Sequence, residues 1–391
     1  MSDVIPVRKE RTKKQKISVL RWILLGAALL LVVLFLCFIL FPRVFNIDRV
    51  TRYFRYLEKK NDSEYGAIRF DSNSSDSYAL FNGSFAVGCE DGLYLYDDYG
   101  NQTALVQGSL PYPKLCVCDS LALCYSNESS VMVAMDRSGA QKLSTTVSGT
   151  VLDAELSSDG CLCYAASGTG CKTQVTVMNA RLEEIYRWKS FSCYLNCCAV
   201  NRRAELLAVV GLKQEGGIFN SSLQILDTSS EDNALIAETS LGNQVIYELC
   251  FLDAGRICAI GETSTNFIAS EGSIMHRFNY DGMTLLDFTW DSKGNVYLAL
   301  NPHKNSKESL LVCFDSEGNE LARREFPEKI QSLSVNGKYL AVLTQNTLTT
   351  CSETLEDFTR TVDGIAANRV LMRKDGTVLL VSNGQTTVWI P

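Results

Sequence analysis

The chain has 391 residues and only two histidines, His276 and His303, so any Ser-His-Asp or Cys-His constellation would have to be built on one of them. Neither is promising: His276 sits in the apolar-flanked run "SIMHRF" and His303 in the loop-like "NPHKNSKE". No H-E-x-x-H, G-x-S-x-G or P-loop pattern occurs, and "GTG" at 168–170 is not followed by a helix that could hold a phosphate. No C-x-x-C pair exists among the 15 cysteines, which removes the usual zinc spacing. Positive charge is missing where a nucleic acid would need it. Residues 61–391 carry 24 Lys/Arg against 40 Asp/Glu. Amphipathic stretches of helical length are absent between the apolar runs of that region, which argues against an α/β fold.

What is present begins with "WILLGAALLLVVLFLCFILF", residues 22–41, an uncharged run bracketed by Arg21 and Arg43. As a helix its length matches the ~30 Å hydrocarbon thickness of a bilayer. We expect an uncleaved signal anchor, since no small-x-small cleavage site follows it. The expected organisation is a basic cytoplasmic tail (1–21), a transmembrane helix (22–41), an amphipathic juxtamembrane stem (42–64) and a folded domain (65–391). Seven positive residues precede the run and six follow it, so the positive-inside rule is nearly balanced. A large C-terminal body behind an early anchor favours its export, with the N-terminus inside. In the stem, Ile47, Val50, Phe54 and Leu57 recur at helical spacing. The cysteines sit mostly in apolar runs such as "KLCVCDSLALCY", where a thiol serves as a small hydrophobe.

The body repeats itself. "GLYLYDDYGN" returns as "SVMVAMDRSGA", "TQVTVMNARLE", "SLQILDTSSE", "SIMHRFNYDGM", "SLLVCFDSEGN" and, weakly, "NTLTTCSETLE". The runs close on Asp97, Asp136, Asn179, Asp227, Asn279, Asp315 and Ser352. Alternating apolar residues ending in Asp or Asn, often with Gly three positions on, describe a strand running into a turn. By the same reading, the carboxylates of "CEDGLYLYDD" belong to hairpin turns and not to a calcium site. A period near forty residues with β-type runs is the signature of a propeller. Each run is preceded by a further strand, such as "SFAVGC", "ELLAVVG" or "TVLLVS", giving eight units, or seven if the weak one merges with a neighbour. The chain stops on the third strand of the last unit, so "YGAIRF" (65–70) is expected to supply the missing strand and close the ring.

These phrases resemble the repeats of quinoprotein-like and WD40-like propellers. The whole plan, basic tail, one span, short stem and cysteine-tolerant propeller, resembles an uncharacterised family of membrane-anchored propellers from Gram-positive anaerobic bacteria, domain of unknown function 5711. The resemblance implies a fold and a membrane address but no activity. The Gly-His and Trp-Asp pairs of WD40 blades are missing, and the Trp of quinoprotein repeats occurs at most once, as Trp188, so no cofactor is expected.

One asymmetry suggests a working surface. Most units join their second and third strands by a tight turn, whereas three carry "GLKQEGGIFNSS" (211–222), "GETSTNFIASEG" (261–272) and "NPHKNSKES" (301–309). Loops collecting on one face of a repeat protein often mark its binding side. Phe219, Asn220, Phe267, Asn301, His303 and Lys304 are therefore the candidate binding residues. The expected function is a non-enzymatic scaffold outside the membrane that holds an envelope protein, peptide or glycan. The alternatives are a membrane-tethered sensor or assembly factor, and a hydrolase or lyase working in a central channel.

Overall fold

A computed structural model describes residues 22, 25–29, 32, 47–57, 65–71, 73, 76–230, 234–252, 255–303, 306–358, 362–364 and 366–391. The chain divides into two compact units, residues 1–62 and 63–391. In the first, the stem forms a helix, α1 (Ile47–Tyr56). Among its described side chains Arg52 and Tyr56 are buried and Phe54 is exposed, as is Leu57 just beyond it. Most of the apolar run 22–41 lies outside the described residues. Among those described, no helix is long and apolar enough to cross a membrane.

The second unit is an eight-bladed propeller, and the merged seven-blade alternative is excluded. Its eight antiparallel sheets are meanders built from consecutive strands, over residues 77–107, 113–146, 151–190, 194–242, 246–279, 284–326, 330–363 and 369–389. We number the blades in that order. The first strands of neighbouring blades lie side by side around the axis, and the fourth strands form the rim. Alternation explains the strands: each presents apolar residues to the blades on either side, so second and third strands such as Val296–Asn301 and Ser309–Phe314 are buried throughout. Eight apolar cores result, one per interface. They run from Phe81, Leu93 and Leu123's neighbours Ala122 and Cys124 between blades 1 and 2 to Ile68, Phe85, Leu379 and Val381 between blades 8 and 1. The last of these closes the ring.

Blade 8 has three strands of its own. The fourth comes from the other end of the unit, as expected: Arg69 bridges Gln385, Phe70 N–H donates to the Gly384 carbonyl at 3.0 Å, and Thr386 N–H donates to the Ile68 carbonyl at 2.9 Å. The seam is locked where Arg373 reaches both Asp98 (2.5 Å) and the Tyr65 hydroxyl (3.2 Å), and Tyr65 in turn donates to Asp98. Gly66 sits here with φ +77°, and a Cβ on it would meet Val388 Cγ2 at 2.2 Å. The seam therefore needs a residue without a side chain.

The strand-closing acids are turn-formers. Asp97 Oδ1 accepts from the backbone N–H of Tyr99 and Asn101, and Asp136 Oδ1 from Ser138 and Ala140. Asn179, Asp315 and Ser352 repeat the pattern. Asn279 does not. "SIMHRFN" is the fourth strand of blade 5, and the third is Ser264–Ile268, which closes on Ala269. The cysteines behave as expected: all fourteen described are free thiols, and ten of them are buried.

Candidate binding face

In an antiparallel meander, the hairpin between second and third strands and the crossover to the next blade emerge at the same end. This end of the propeller carries the three segments singled out by length. Blade 4 extends its second and third strands as a ribbon, with Lys213, Gln214 and Glu215 paired to Asn220, Phe219 and Ile218. The flanking strands stop at Leu212 and Ser221, so the tip stands clear of its sheet with Ile218 and Phe219 exposed. In blade 6, Asn301 is buried and structural. Its Nδ2 donates to the carbonyls of Ser306 (3.0 Å) and Glu308 (3.3 Å), and its Oδ1 accepts from His303 N–H. His303 is exposed beside it, and Lys304 lies outside the described residues.

Phe267 must be removed from the face. The segment 261–272 is a tight hairpin followed by a strand, and Phe267 is fully buried between blades 5 and 6, with Phe314 at 5.6 Å. The third strand of blade 5 closes on Ala269 in place of an Asp, Asn or Ser, which hid the strand, so its residues read as an insertion.

The structure adds residues that the sequence did not single out. Among the described propeller residues, six aromatic side chains are exposed: Tyr99, Tyr112, Phe191, Tyr194, Phe219 and Tyr247. All but Tyr99 lie on this face, in blades 2, 4 and 5 and the crossovers that enter them. Their display is constructed. Tyr112 is 62% exposed at φ 54°, a left-handed conformation unfavourable for a tyrosine. Its loop is pinned by the buried Leu110, by a Ser126 hydroxyl donated to the Pro111 carbonyl, and by Ser129 Oγ donating to the Ser109 carbonyl. Phe191, 69% exposed, caps a turn closed by the Ser190 hydroxyl on the Cys193 carbonyl at 2.8 Å. The Lys172 ammonium lies over the Tyr194 ring at 5.1 Å and donates to the Ser192 carbonyl. Tyr247 is the bulge residue of its strand, where pairing skips from Ile246 to Glu248. The signal in the sequence was an aromatic inside each crossover, in "SLPYPK" and "SFSCYL".

Below the face, the first strands line a channel. Side chains there bond to the backbone of the next blade: Cys116 to the Ala154 carbonyl, Cys198 N–H to Asp153, Asn196 to the Ile246 carbonyl, and Leu333 N–H to Asp287. Ser332 and Ser334 accept likewise from Val370 and Met372 N–H. Asp153, Glu155 and Glu248 cluster near Lys114, Cys116 and Cys197. Burial, reinforced by the neighbouring Asp153, pushes Glu248 up to about 8. Burial and the carboxylates of Glu248 and Asp153 push Glu155 well above the usual range. The Cys116 thiol, raised by the same causes, points at Glu155 Oε2 from 3.6 Å. Burial thus favours the neutral forms of these acids and thiols, which argues against an activated thiolate here. Among the described residues no group of three or more His, Cys, Asp or Glu could hold a metal ion.

With this architecture in place, comparison with known proteins becomes informative. The family described as "Family of unknown function (DUF5711)" matches residues 55–388. The chain belongs to DUF5711. No curated protein matches it. Among solved structures, this DUF5711 chain is similar to the C-terminal WD40 domain of Sif2, at 10% identity, covering 83% of this chain and 97% of that one with a TM-score of 0.57. Sqt1 of Saccharomyces cerevisiae is similar at 9% identity, with 84% and 97% covered and a TM-score of 0.55. At such identities the likeness shows the fold: a WD40-like propeller.

Proposed function

We propose that this DUF5711 protein is a non-enzymatic binding module, anchored in a membrane by residues 22–41, whose propeller lies outside the membrane and holds a protein partner on the aromatic face. One observation carries the reading: five of the six exposed aromatic rings of the described propeller share that face. Aromatic side chains with few rotamers, held on pinned loops, are the residue type that dominates protein interfaces. WD40-like propellers commonly serve as interaction scaffolds, which agrees. So does the channel, whose thiols and carboxyls are pushed by burial toward their neutral forms and bond to the backbone of the next blade. Anchoring rests on the uncharged run between Arg21 and Arg43, and export of the body on its length and acidity. Crosslinked affinity purification from intact cells tests the partner. Tyr112→Ser, Phe191→Ser and Tyr194→Ser together should lose it, while Tyr99→Ser on the opposite face should keep it. Retention by the triple variant refutes the assignment. Protease shaving of the same cells should remove the propeller epitope, and full protection would place the body inside.

A further inference from the structure

The same face is chemically divided. Opposite the aromatic blades, blades 7 and 8 frame an open depression of about 520 Å³ lined by Gln331, Gln345, Asn346, Asn368, Asn383 and Gln385, with Ser382 and the small residues Gly364, Ala366 and Ala367. Six of these described residues carry a carboxamide and one a hydroxyl, and none of them is charged or aromatic. We propose that this cavity is a binding site for a neutral saccharide, separate from the aromatic surface.

A carboxamide offers two N–H donors and an acceptor oxygen with two lone pairs, fixed in one plane. A sugar hydroxyl both donates and accepts, so neighbouring hydroxyls pair with such groups without a net charge on either side. Part of the wall is already oriented: Asn368 Nδ2 donates to Asn383 Oδ1 at 2.8 Å, joining the crossover into blade 8 to the next hairpin. Asn346 is held by its backbone N–H on Glu328 Oε2 at 3.4 Å, a carboxylate also engaged by the Thr344 hydroxyl. Gln331, Gln345 and Gln385 are exposed residues of the same wall. The volume suits a small ligand of one or two rings. An anion finds no cationic side chain in the lining, and a cation no carboxylate. A peptide is less favoured, because extended-peptide recognition needs apolar pockets for alternate side chains, and only alanines are present.

The test is calorimetric titration of the full-length protein, kept in a detergent without a sugar headgroup, with cellobiose, maltose and N,N′-diacetylchitobiose. At least one should bind, with affinity changing less than about twofold between about 50 and 500 mM salt, a range over which the Debye length falls roughly threefold, as an uncharged site requires. Ala366→Phe, at an exposed position, should fill the cavity and abolish binding, and Asn383→Ala or Gln345→Ala should weaken it about tenfold, roughly one strong hydrogen-bonded contact. Unchanged circular dichroism and melting temperature establish that these variants fold. The triple aromatic variant should bind the sugar unchanged, so failure here and failure of the partner assignment are separable. Absence of binding by all three sugars at millimolar concentration overturns the proposal. So does binding that survives Ala366→Phe, or preferential capture of a neutral glycine-serine peptide.

Discussion

Glu155 and Glu248 are pushed toward their protonated forms in a channel whose walls desolvate them and whose neighbours are also acids. The linkage sign follows. In the unfolded chain each ionises near its ordinary value of 4.5, while in the propeller Glu248 does so only at about 8. Between those values the folded state binds more protons, so unfolding free energy falls as pH rises. The melting temperature should therefore be higher at pH 6 than at pH 8.5. Glu248→Gln should flatten that slope and stabilise the protein at the alkaline end, as thermal melts across the range will show. An unchanged slope in the Glu155→Gln, Glu248→Gln double variant would remove these groups from the account. At the seam, Arg373→Met should cost about 2 kcal/mol, since it removes the guanidinium that bonds Asp98 and the Tyr65 hydroxyl. Gly66→Val should cost more, because Val388 blocks the added carbons and φ opposes them. Chemical denaturation of each variant measures both.

Elements explain which parts of the sequence were readable. The ribbon of blade 4 stands outside its sheet, so replacing residues 213–220 with a two-residue turn should shift stability by less than about 0.5 kcal/mol, as for surface changes generally. Blades whose third strand ends in Asp, Asn or Ser were legible, because those side chains bond the backbone two and four residues on. Blade 5 lacks that side chain at Ala269, and its true third strand, "STNFI", contains Ser, Thr and Asn in a fully buried setting. Thr265 is satisfied by the Tyr280 hydroxyl and Asn266 by Arg277, contacts that no local pattern announces. Misplacing that strand made Phe267 look like a loop residue. The channel acids were hidden for a related reason. "VLDAEL" reads as an ordinary alternating strand until the ring brings blades 3 and 5 to a common axis. The stem was readable as a helix, and the burial of Arg52 and Tyr56 beside exposed Phe54 and Leu57 was not announced by its apolar spacing.

At the scale of the molecule, ring closure joins residues over 300 positions apart, as Thr386 on Gly66 illustrates with |i−j| of 320. Deleting residues 1–62 should leave a propeller with an unchanged melting temperature, whereas deleting 1–75 should remove the closing strand and lower it. Coincident melts for the two truncations would mean that Ile68 and Phe70 contribute nothing to the core they share with Leu379 and Val381.

That seam also sets the order of events during synthesis. Residues 65–70 leave the ribosome well before their partner at 384–386 is made. The sheets between them must wait, stacked in an arc, until that strand emerges and the zip can be drawn. A chain cut just before Gly384 would keep most of its buried surface and still never become a circle.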